Sequence, residues 1–344
     1  MKRQLYFLLI LILSALPFTS CRKNIYNVNI SKSEVRIVVK RLDKDLFVMD
    51  PGHITDSISY LKSKYGNFLR YFGYVINIGE PSDSSWMEGL VRFCTDRQNN
   101  EVFETVMKVF PSITSEEKDL SKAFSHYRYY FPGKKIPGIY TCITGFNNSI
   151  ITGDSALGIS LDRYLGQDCK YYPAMGLYKY QIAKMKAANI LPDCMYAWGA
   201  SEWDLKSIPY SQSNVLSDII HEGKILFFVK CMLPDLTEEM IAGFTPEQMK
   251  FCRNNEGGMW QYLMEHNMLF STDMLTRKKL TGEAPFTVYF TSESPGRAAA
   301  WIGFRIVESY MKENRSVTLD ELMSETDIQK ILQGAKYRPT RGRQ

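Results

Sequence analysis

Histidine is scarce in this sequence, and the short motifs of several enzyme classes are absent. The 344 residues include four histidines, and no two of them lie four positions apart. There is also no phosphate-binding P-loop, no Gly-x-Gly-x-x-Gly segment, no Gly-x-Ser-x-Gly segment and no Cys-x-x-Cys pair. The chain therefore lacks the usual motifs of a nucleotide-binding enzyme, a serine hydrolase or a cysteine-bound zinc site.

A broad surface of one charge sign is also missing. The formal net charge is +5 at pH 7. The excess comes from the two ends of the chain: Lys2, Arg3, Lys336, Arg338, Arg341 and Arg343. Without the first two the charge is +3, and without all six it is −1. A nearly neutral body predicts no nucleic-acid partner, and we interpret residues 336–344 as a basic, disordered tail.

One long apolar run is present, at the N-terminus. The segment from Leu5 to Leu16 follows two basic residues, fits the apolar part of a signal peptide, and is too short to cross a bilayer of about 30 Å. The next residues, Phe18-Thr19-Ser20-Cys21, resemble the lipobox of bacterial lipoproteins. We predict that residues 1–20 are a lipoprotein signal peptide and that Cys21 becomes the acylated, membrane-anchored N-terminus. The alternative is a soluble secreted protein cleaved after Ser20.

The remaining chain, residues 21–335, is predicted to form a single α+β body that is rich in helices. A small mixed sheet is expected in its first half, and a sub-boundary could fall near residues 170–210. Alternating apolar residues predict one or two strands within 25–48, and β-branched and aromatic residues predict strands at 139–143, 149–152 and 157–161. Helical patterns cover 53–70, 86–108 and most of the chain after residue 177.

Capping patterns mark the starts of several helices. Four of these patterns each place a hydroxyl before a helical stretch. They are Thr114 with Glu117, Thr245 with Pro246 and Gln248, Ser294-Pro295, and Thr318 with Glu321. The longest apolar helix is predicted from about residue 215 to 233, where Pro234 stops it.

Cysteine usage permits disulfides but does not define them. With Cys21 assigned to lipid, the six others are Cys94, Cys142, Cys169, Cys194, Cys231 and Cys252. Six cysteines allow fifteen pairings, and the sequence cannot choose among them. A free buried thiol is an alternative for Cys231, which lies in the apolar helix.

One constellation could carry chemistry. The apolar helix contains His221 and Glu222, which match the first two positions of the His-Glu-x-x-His zinc motif. The second histidine position holds Ile225, and Lys224 beside it would repel a dication. Glu256, on the next long helix, stands where a further zinc ligand could lie. With one imidazole and one carboxylate, no bound metal or other cofactor is expected, and His221 and Glu256 are weak candidates for zinc ligands.

Two interpretations of this helix stay open. In the first, His221 and Glu222 are a hydrogen-bonded polar pair on an apolar helix, with no catalytic role. In the second, the protein is a metal- or carboxylate-dependent hydrolase or peptidase in which Glu222 acts as the base.

Several segments together carry a family resemblance. They are Tyr130-Phe131-Pro132-Gly133 with Ile136-Pro137, Thr144-Gly145-Phe146-Asn147, Asp154 with Leu157 to Gly166, Cys169 with Tyr171-Tyr172, Pro192-Asp193-Cys194-Met195, Ile220 to Phe228, and Ser292 to Arg297 with Trp301-Ile302-Gly303. In these stretches the chain resembles the GldB family, the gliding-motility lipoproteins of Bacteroidota, over roughly residues 25–335.

The resemblance implies a lipoprotein of the cell envelope whose partners belong to the gliding motility apparatus or the linked secretion apparatus. The family also looks like a degenerate relative of predicted zinc-dependent proteases, so the resemblance implies a zincin-like fold without catalytic residues to carry over. In lipoproteins of that phylum, acidic residues after the cysteine resemble a surface-export signal. Arg22-Lys23-Asn24 follows Cys21 here, which favours a periplasm-facing anchor, in the inner or the outer membrane.

The function we expect is therefore that of a non-catalytic binding or assembly module. Its binding groove would be lined by His221, Glu222, Glu256 and Arg297. In zincins, the strand at the edge of the cleft takes an extended peptide by strand addition, and residues 149–161 are the candidate for such an edge.

Overall fold

The computed structural model describes residues 26–50, 53–54, 56–207 and 213–339. The predicted signal peptide at 1–20 and the lipidation site Cys21 lie outside these residues, as do the last five residues of the predicted tail. Within the described ranges, no helix is both long enough and apolar enough to cross a bilayer.

The chain has an α+β architecture in which helices dominate, as predicted. The first part contains, in chain order, β1 (Val39–Arg41), α1 (Leu42–Val48), α2 (Ile58–Tyr65), α3 (Phe68–Val75), α4 (Trp86–Thr95), α5 (Arg97–Val109), α6 (Thr114–Tyr130), β2 (Gly138–Cys142), β3 (Ile150–Gly153) and β4 (Ala156–Ser160). The second part contains α7 (Tyr171–Ala174), α8 (Lys179–Ile182), α9 (Ile190–Glu202), α10 (Val215–Met232), α11 (Glu238–Ala242), α12 (Pro246–Glu265), α13 (Met274–Thr281), α14 (Ala298–Glu313), α15 (Leu319–Ser324) and α16 (Ile328–Ala335).

The sheet is small and mixed, and the three central strand predictions are confirmed. Its strand order is β1-β2-β4-β3, in which β1, β2 and β4 are parallel and β3 is antiparallel to β4. The strand β3 therefore forms one edge of the sheet, within the segment predicted as an edge. All five residues of β4 are buried, because the sheet is covered on both faces.

The strand prediction for residues 25–48 is wrong over most of that range. Only β1 is a strand, and α1 follows it directly. The alternation of Val35, Ile37 and Val39 is real, since all three are buried. However, their peptide N–H groups donate to side chains of α6 rather than to a strand. The three acceptors, each at 2.9 Å, are Ser125 Oγ, Ser121 Oγ and Glu117 Oε1.

Two predicted helices are each divided into two. Residues 53–70 contain α2 and the start of α3, which are separated at Gly66, where φ is +51°. Residues 86–108 contain α4 and most of α5, because Asp96 is extended and its carboxylate caps α5 by accepting from Asn99 N–H at 2.9 Å.

Two of the four predicted capping patterns form helix caps. Thr245 and Thr318 form the predicted capping boxes. Thr114 does not act as a side-chain cap, because α6 already begins at this residue. Ser294-Pro295 lies in a turn before α14, which starts at Ala298.

The sheet separates two hydrophobic cores. Cys142, Ile151 and Ala156 face a smaller core formed with α1 to α4. Ile139 and Leu157 face a larger core that continues through the helices of the second part. The larger core draws side chains from both sides of residues 170–210.

The C-terminal body extends past the predicted boundary at residue 335. Tyr337 packs its ring 5.4 Å from that of Trp260 and donates a hydrogen bond to Glu256 at 2.9 Å. Lys336 pairs with Glu313 at 3.5 Å. Tyr337, a residue of the predicted tail, is therefore part of the packed structure, whereas the Lys336 side chain is 73% exposed.

All six cysteines of the described chain are free thiols, and only Cys169 is not fully buried. Cys231 is buried within the apolar helix. Burial raises the pKa of the Cys252 thiol to about 12, which keeps this thiol protonated and unreactive at neutral pH.

The centre of the larger core is the crossing of α10 and α14. Every residue of α10 except Glu222 and Lys230 is buried, which is the pattern of a helix surrounded by protein. The helices touch through glycines. A Cβ atom on Gly303 would lie 1.7 Å from the carbonyl oxygen of Ile219, and one on Gly223 would lie 2.2 Å from the carbonyl carbon of Gly303. The two backbones are therefore in direct contact.

We expect that Gly223→Ala and Gly303→Ala each lower the free energy of unfolding by about 3 kcal/mol or more, because a methyl group forces the two backbones apart. Urea denaturation followed by circular dichroism measures this. The matched control is Gly258→Ala on α12, where a Cβ atom meets nothing within 4 Å and where alanine should stabilise by about 0.5–1 kcal/mol. Equal effects at all three glycines would contradict the close crossing.

Candidate functional site

Glu222 is held in a half-buried ion pair, in which the Arg297 side chain is 13% exposed and the Glu222 side chain 22% exposed. Arg297 Nη2 donates to Glu222 Oε2 at 2.6 Å, and the hydroxyl of Tyr196 donates to the same oxygen at 2.7 Å. Arg297 Nη2 also donates to the Tyr196 hydroxyl at 2.9 Å, and the guanidinium lies 4.9 Å from the centre of the tyrosine ring. Three helices, α9, α10 and α14, meet at this point.

The pair continues outward into a larger network. Arg297 Nη1 donates to Glu283 Oε1 at 3.1 Å, and Lys184 Nζ donates to Glu283 Oε2 at 2.8 Å. We refer to these five residues, Lys184, Tyr196, Glu222, Glu283 and Arg297, as the Glu222 network. Burial disfavours the charge on Arg297, but Tyr196, Glu222 and Glu283 outweigh it and raise the arginine pKa above its ordinary value.

Arg297 occupies a strained backbone position. Its φ is 62°, in the left-handed region that costs an ordinary residue about 1–2 kcal/mol. The turn before it is fixed by Thr287, which is fully buried. The Thr287 hydroxyl donates to the carbonyl of Pro295 at 2.8 Å and accepts from Ala298 N–H, at the start of α14, at 3.0 Å. This geometry aims the Arg297 side chain at Glu222.

His221 does not form the predicted hydrogen-bonded pair with Glu222. Within the described residues, the Glu222 carboxylate accepts from Tyr196 and Arg297 and not from His221. The imidazole is buried, and burial lowers its pKa despite the opposing effect of the Glu222 charge. His221 is therefore neutral at physiological pH, and Ile225, one turn further along, is 1% exposed and belongs to the core.

Glu256 lies in a different cluster, so the predicted four-residue groove is wrong at this position. Arg305 Nε donates to Glu256 Oε1 at 3.2 Å, and Arg305 also pairs with Glu308, which binds Lys230. Arg305 and Arg297 are separated by eight residues of α14, or about 12 Å along the helix. The structure thus brings Glu222 and Arg297 together and leaves Glu256 with other partners.

In the part of the chain that the structure describes, no group of three or more histidine, cysteine, aspartate or glutamate side chains is placed to hold a metal ion. Both donors, Tyr196 and Arg297, bind the same oxygen of Glu222, Oε2. This arrangement is suited to joining helices.

A cavity of about 500 Å³ lies beside the Glu222 network. Lys184 and Gly296 belong to its wall, which also includes Tyr180, Glu239 and Gln248. A cavity of this size with apolar and hydrogen-bonding groups can accept a short peptide segment or a small molecule. The buried carboxyl of Asp193 lies near the network, and burial raises its pKa to about 6.

The predicted edge strand is separated from Glu222 by a helix. The strands β3 and β4 pack against α9, and α9 packs in turn against α10, which carries Glu222. A peptide added to β3 would therefore approach α9 first. Sequence reasoning also missed Lys184, Tyr196 and Glu283, because no short-range pattern connects them to Glu222.

A second buried charge on α10 ties the C-terminal helices to the centre. Lys224 is 6% exposed, and its Nζ donates to the backbone carbonyl of Glu325 at 2.8 Å, directly after α15. A cation at this position compensates the unpaired carbonyls at a helix C-terminus. Burial nevertheless lowers the lysine pKa to about 8, against an attractive effect of Glu325.

Comparison with known proteins gives one match. The family described as gliding motility protein GldB matches residues 23–339, which is most of the chain. No curated protein and no solved structure matches.

We expect Lys224→Met to be more stable than the parent chain below pH 8. The folded-state pKa of about 8 lies below the ordinary lysine value of 10.5. The unfolded chain therefore binds more protons between these two pH values, and the stability of the parent chain rises with pH across that window. The pKa shift of Lys224 corresponds to a destabilisation of the parent chain by about 3 kcal/mol. The variant also loses the hydrogen bond of Lys224, which offsets roughly 1 kcal/mol of its gain in stability.

Urea unfolding of both proteins at pH 7 and pH 10 measures the effect, because the other titrating groups act on both alike. Lys62→Met, at an exposed lysine, is the control and should show little pH-dependent difference. A difference between Lys224→Met and the parent that does not shrink from pH 7 to pH 10 would count against a destabilising buried charge.

Proposed function

We propose a task for this chain, which belongs to the GldB family of gliding motility proteins: it is a lipid-anchored, non-catalytic protein of the cell envelope that binds a partner of the motility or secretion apparatus. The family connects the chain with gliding motility. The observation that carries the non-catalytic part is the Glu222–Arg297 ion pair, held together with Tyr196.

Glu222 is the one residue of this helix that a protease-like mechanism would need as its base. A general base must reach the proton that it removes. Here Arg297 and Tyr196 both hold Oε2 of Glu222, so turning the carboxylate toward a substrate would weaken a half-buried ion pair, which costs free energy. The zincin-like relationship remains part of the proposal: α10 would be the counterpart of a metalloprotease helix whose second histidine position is Ile225.

The binding part of the proposal rests on the cavity beside the Glu222 network. Its wall combines Tyr180 and Phe244 with Lys184, Glu239 and Gln248, so that both apolar contacts and hydrogen bonds are available to a peptide segment of a partner protein. The rigid network behind the wall keeps this surface in one shape. Because organised binding surfaces lose less conformational entropy on association, this rigidity favours binding.

The anchoring part rests on Cys21 and on the segment after it. Acylation of Cys21 with palmitate or a similar chain would anchor the protein to the envelope. Arg22, Lys23 and Asn24 follow Cys21, and none of them is acidic. This pattern supports an anchor that faces the periplasm.

A rescue experiment separates the structural role of Glu222 from a catalytic one. Glu222→Leu leaves Arg297 with Glu283 as its remaining carboxylate partner, and Arg297→Met leaves the half-buried Glu222 charge without its cation. Each change should lower the free energy of unfolding by roughly 2 kcal/mol, between the values for exposed and fully buried pairs. The double variant removes both charges and should recover most of this loss, which urea unfolding measures as a coupling energy.

The same three variants are then tested for surface spreading of a gliding strain that lacks the gene. A structural ion pair predicts that the double variant restores spreading together with stability. The proposal fails if the double variant is as stable as the parent chain and the cells still do not spread, because a hydrolase would need the Glu222 carboxylate itself.

The lipid anchor is tested at its cysteine. We expect Cys21→Ser to abolish incorporation of a palmitate analogue in cells and to move the protein from the membrane fraction to the soluble fraction. The control is Cys169→Ser, which removes the least buried of the described thiols and should change neither result. Incorporation that persists in Cys21→Ser would place the lipid elsewhere or refute the anchor.

A further inference from the structure

A second cavity lies where the described chain begins, away from the Glu222 network. It has a volume of about 680 Å³, and its wall includes Tyr26, Tyr130, Phe227, Met311, Lys312 and Arg315. These residues come from the N-terminal segment, the end of α6, the side of α10, and the end of α14 with the loop after it. A cavity of this size can receive an acyl chain or another part of a lipid molecule.

The N-terminal segment is fixed to this cavity by aromatic contacts. The ring of Tyr26 meets that of Phe227 edge-on at 5.4 Å, and Lys230 Nζ lies 4.8 Å from the centre of the Tyr26 ring. The Tyr130 hydroxyl donates a hydrogen bond to the backbone carbonyl of Tyr26 at 3.5 Å. Tyr129, against the ring of Tyr130 at 5.0 Å, is 47% exposed. Tyrosines grouped in this way are typical of surfaces that lie at a membrane–water interface.

The charged side chains in the wall are Lys312 and Arg315, while the Glu321 carboxylate next to it accepts from the N–H and hydroxyl of the wall residue Thr318. Lys312 and Arg315 are exposed and have no ion-pair partner among the residues that the structure describes. No acidic side chain belongs to the wall. An apolar, tyrosine-rich depression with two uncompensated cations at its rim is complementary to a phospholipid surface that carries negative charge.

The position of the anchor selects this face over the rest of the molecule. Cys21 precedes Tyr26 by five residues, and five extended residues reach at most about 18 Å. The two intervening cations, Arg22 and Lys23, add attraction to negative lipid. If Cys21 is acylated, as proposed above, Tyr26 and its cavity are held within that distance of the bilayer.

We propose that this face, defined by Tyr26, Tyr129, Lys312 and Arg315, docks onto the anionic phospholipid surface of the membrane to which the protein is anchored. The exposed Tyr129 enters the interfacial layer, and the two cations contact lipid phosphates. Docking orients the body on the membrane. The inference rests on the proposed lipid anchor for its geometry, but the affinity of the face for lipid belongs to its own residues.

The test therefore uses protein without lipid: the chain from residue 21 to residue 344, carrying Cys21→Ser. Its binding is measured by flotation with vesicles of phosphatidylcholine alone and of phosphatidylcholine mixed with phosphatidylglycerol in equal parts. We expect binding to the anionic vesicles that weakens with added salt. Neutralising both cations in Lys312→Gln/Arg315→Gln should weaken it roughly thirtyfold, at about 1 kcal/mol for each cation.

The matched control is Lys62→Gln/Lys108→Gln. It removes the same charge from two exposed lysines on α2 and α5, which lie on other helices than those around the cavity. This control should bind anionic vesicles nearly as well as its parent. Equal loss in both double variants would mean that net charge alone drives binding, and it would overturn the docking face.

The alternative occupants give different results. Absence of binding to anionic vesicles would overturn the proposal, as would a dimer in sedimentation equilibrium that Lys312→Gln/Arg315→Gln dissociates, since a second copy would then cover the face. Failure of the anchor is distinguished by the palmitate experiment: labelled Cys21 without vesicle binding refutes docking alone, and vesicle binding without labelled Cys21 refutes the anchor alone.

Discussion

The close crossing of α10 and α14 is the constraint on which the rest of the second part depends. Gly303 lies so near to the carbonyl oxygen of Ile219 that no side chain fits between them. Two helices in backbone contact leave little freedom for sliding or rotation, because their packing is fixed by the shape of the main chain. Charged side chains on either side of the crossing are then brought to fixed partners: Glu222 to Arg297, and Lys230 to Glu308.

This constraint explains why Glu222 on α10 lies against Arg297 at the start of α14. Glu222 and Arg297 satisfy each other in a site that excludes most water, and Arg297 remains in a left-handed conformation because the Thr287 turn and the ion pair both hold it there. His221 and Ile225 lie in the apolar surroundings of the same helix. The surfaces that remain open for partners lie outside the crossing: the cavity beside Lys184 and the cavity at Tyr26.

The two open surfaces would have different roles in the proposed function: one contacts the membrane and the other binds a partner. The cavity at Tyr26 lies where the chain enters the folded body from the proposed anchor, and the cavity beside the Glu222 network has a mixed wall suited to a peptide. A body oriented on the membrane by one surface would present the other in a defined direction. If the proposed anchor holds, such an orientation would let a partner be bound at a fixed height above the bilayer.

Local sequence determined the elements whose signals are local. The three central strands, the long apolar helix and the capping boxes at Thr245 and Thr318 follow from alternation, periodicity and hydroxyl caps. Family membership also follows from sequence, since it rests on residue patterns spread along the chain. The absence of a histidine at Ile225 could likewise be seen without a structure.

Only the tertiary structure decided which distant groups meet. Ile37 alternates like a strand residue, yet its N–H bonds to Ser121 on a helix 84 positions away. The sequence predicts Glu222 and Glu256 in one groove, but Arg297 and Arg305 assign them to separate clusters. A charge chooses its partner by distance and burial, and both are set by how helices cross. Periodicity reveals which face of a helix is apolar; it does not reveal which helix will cover that face.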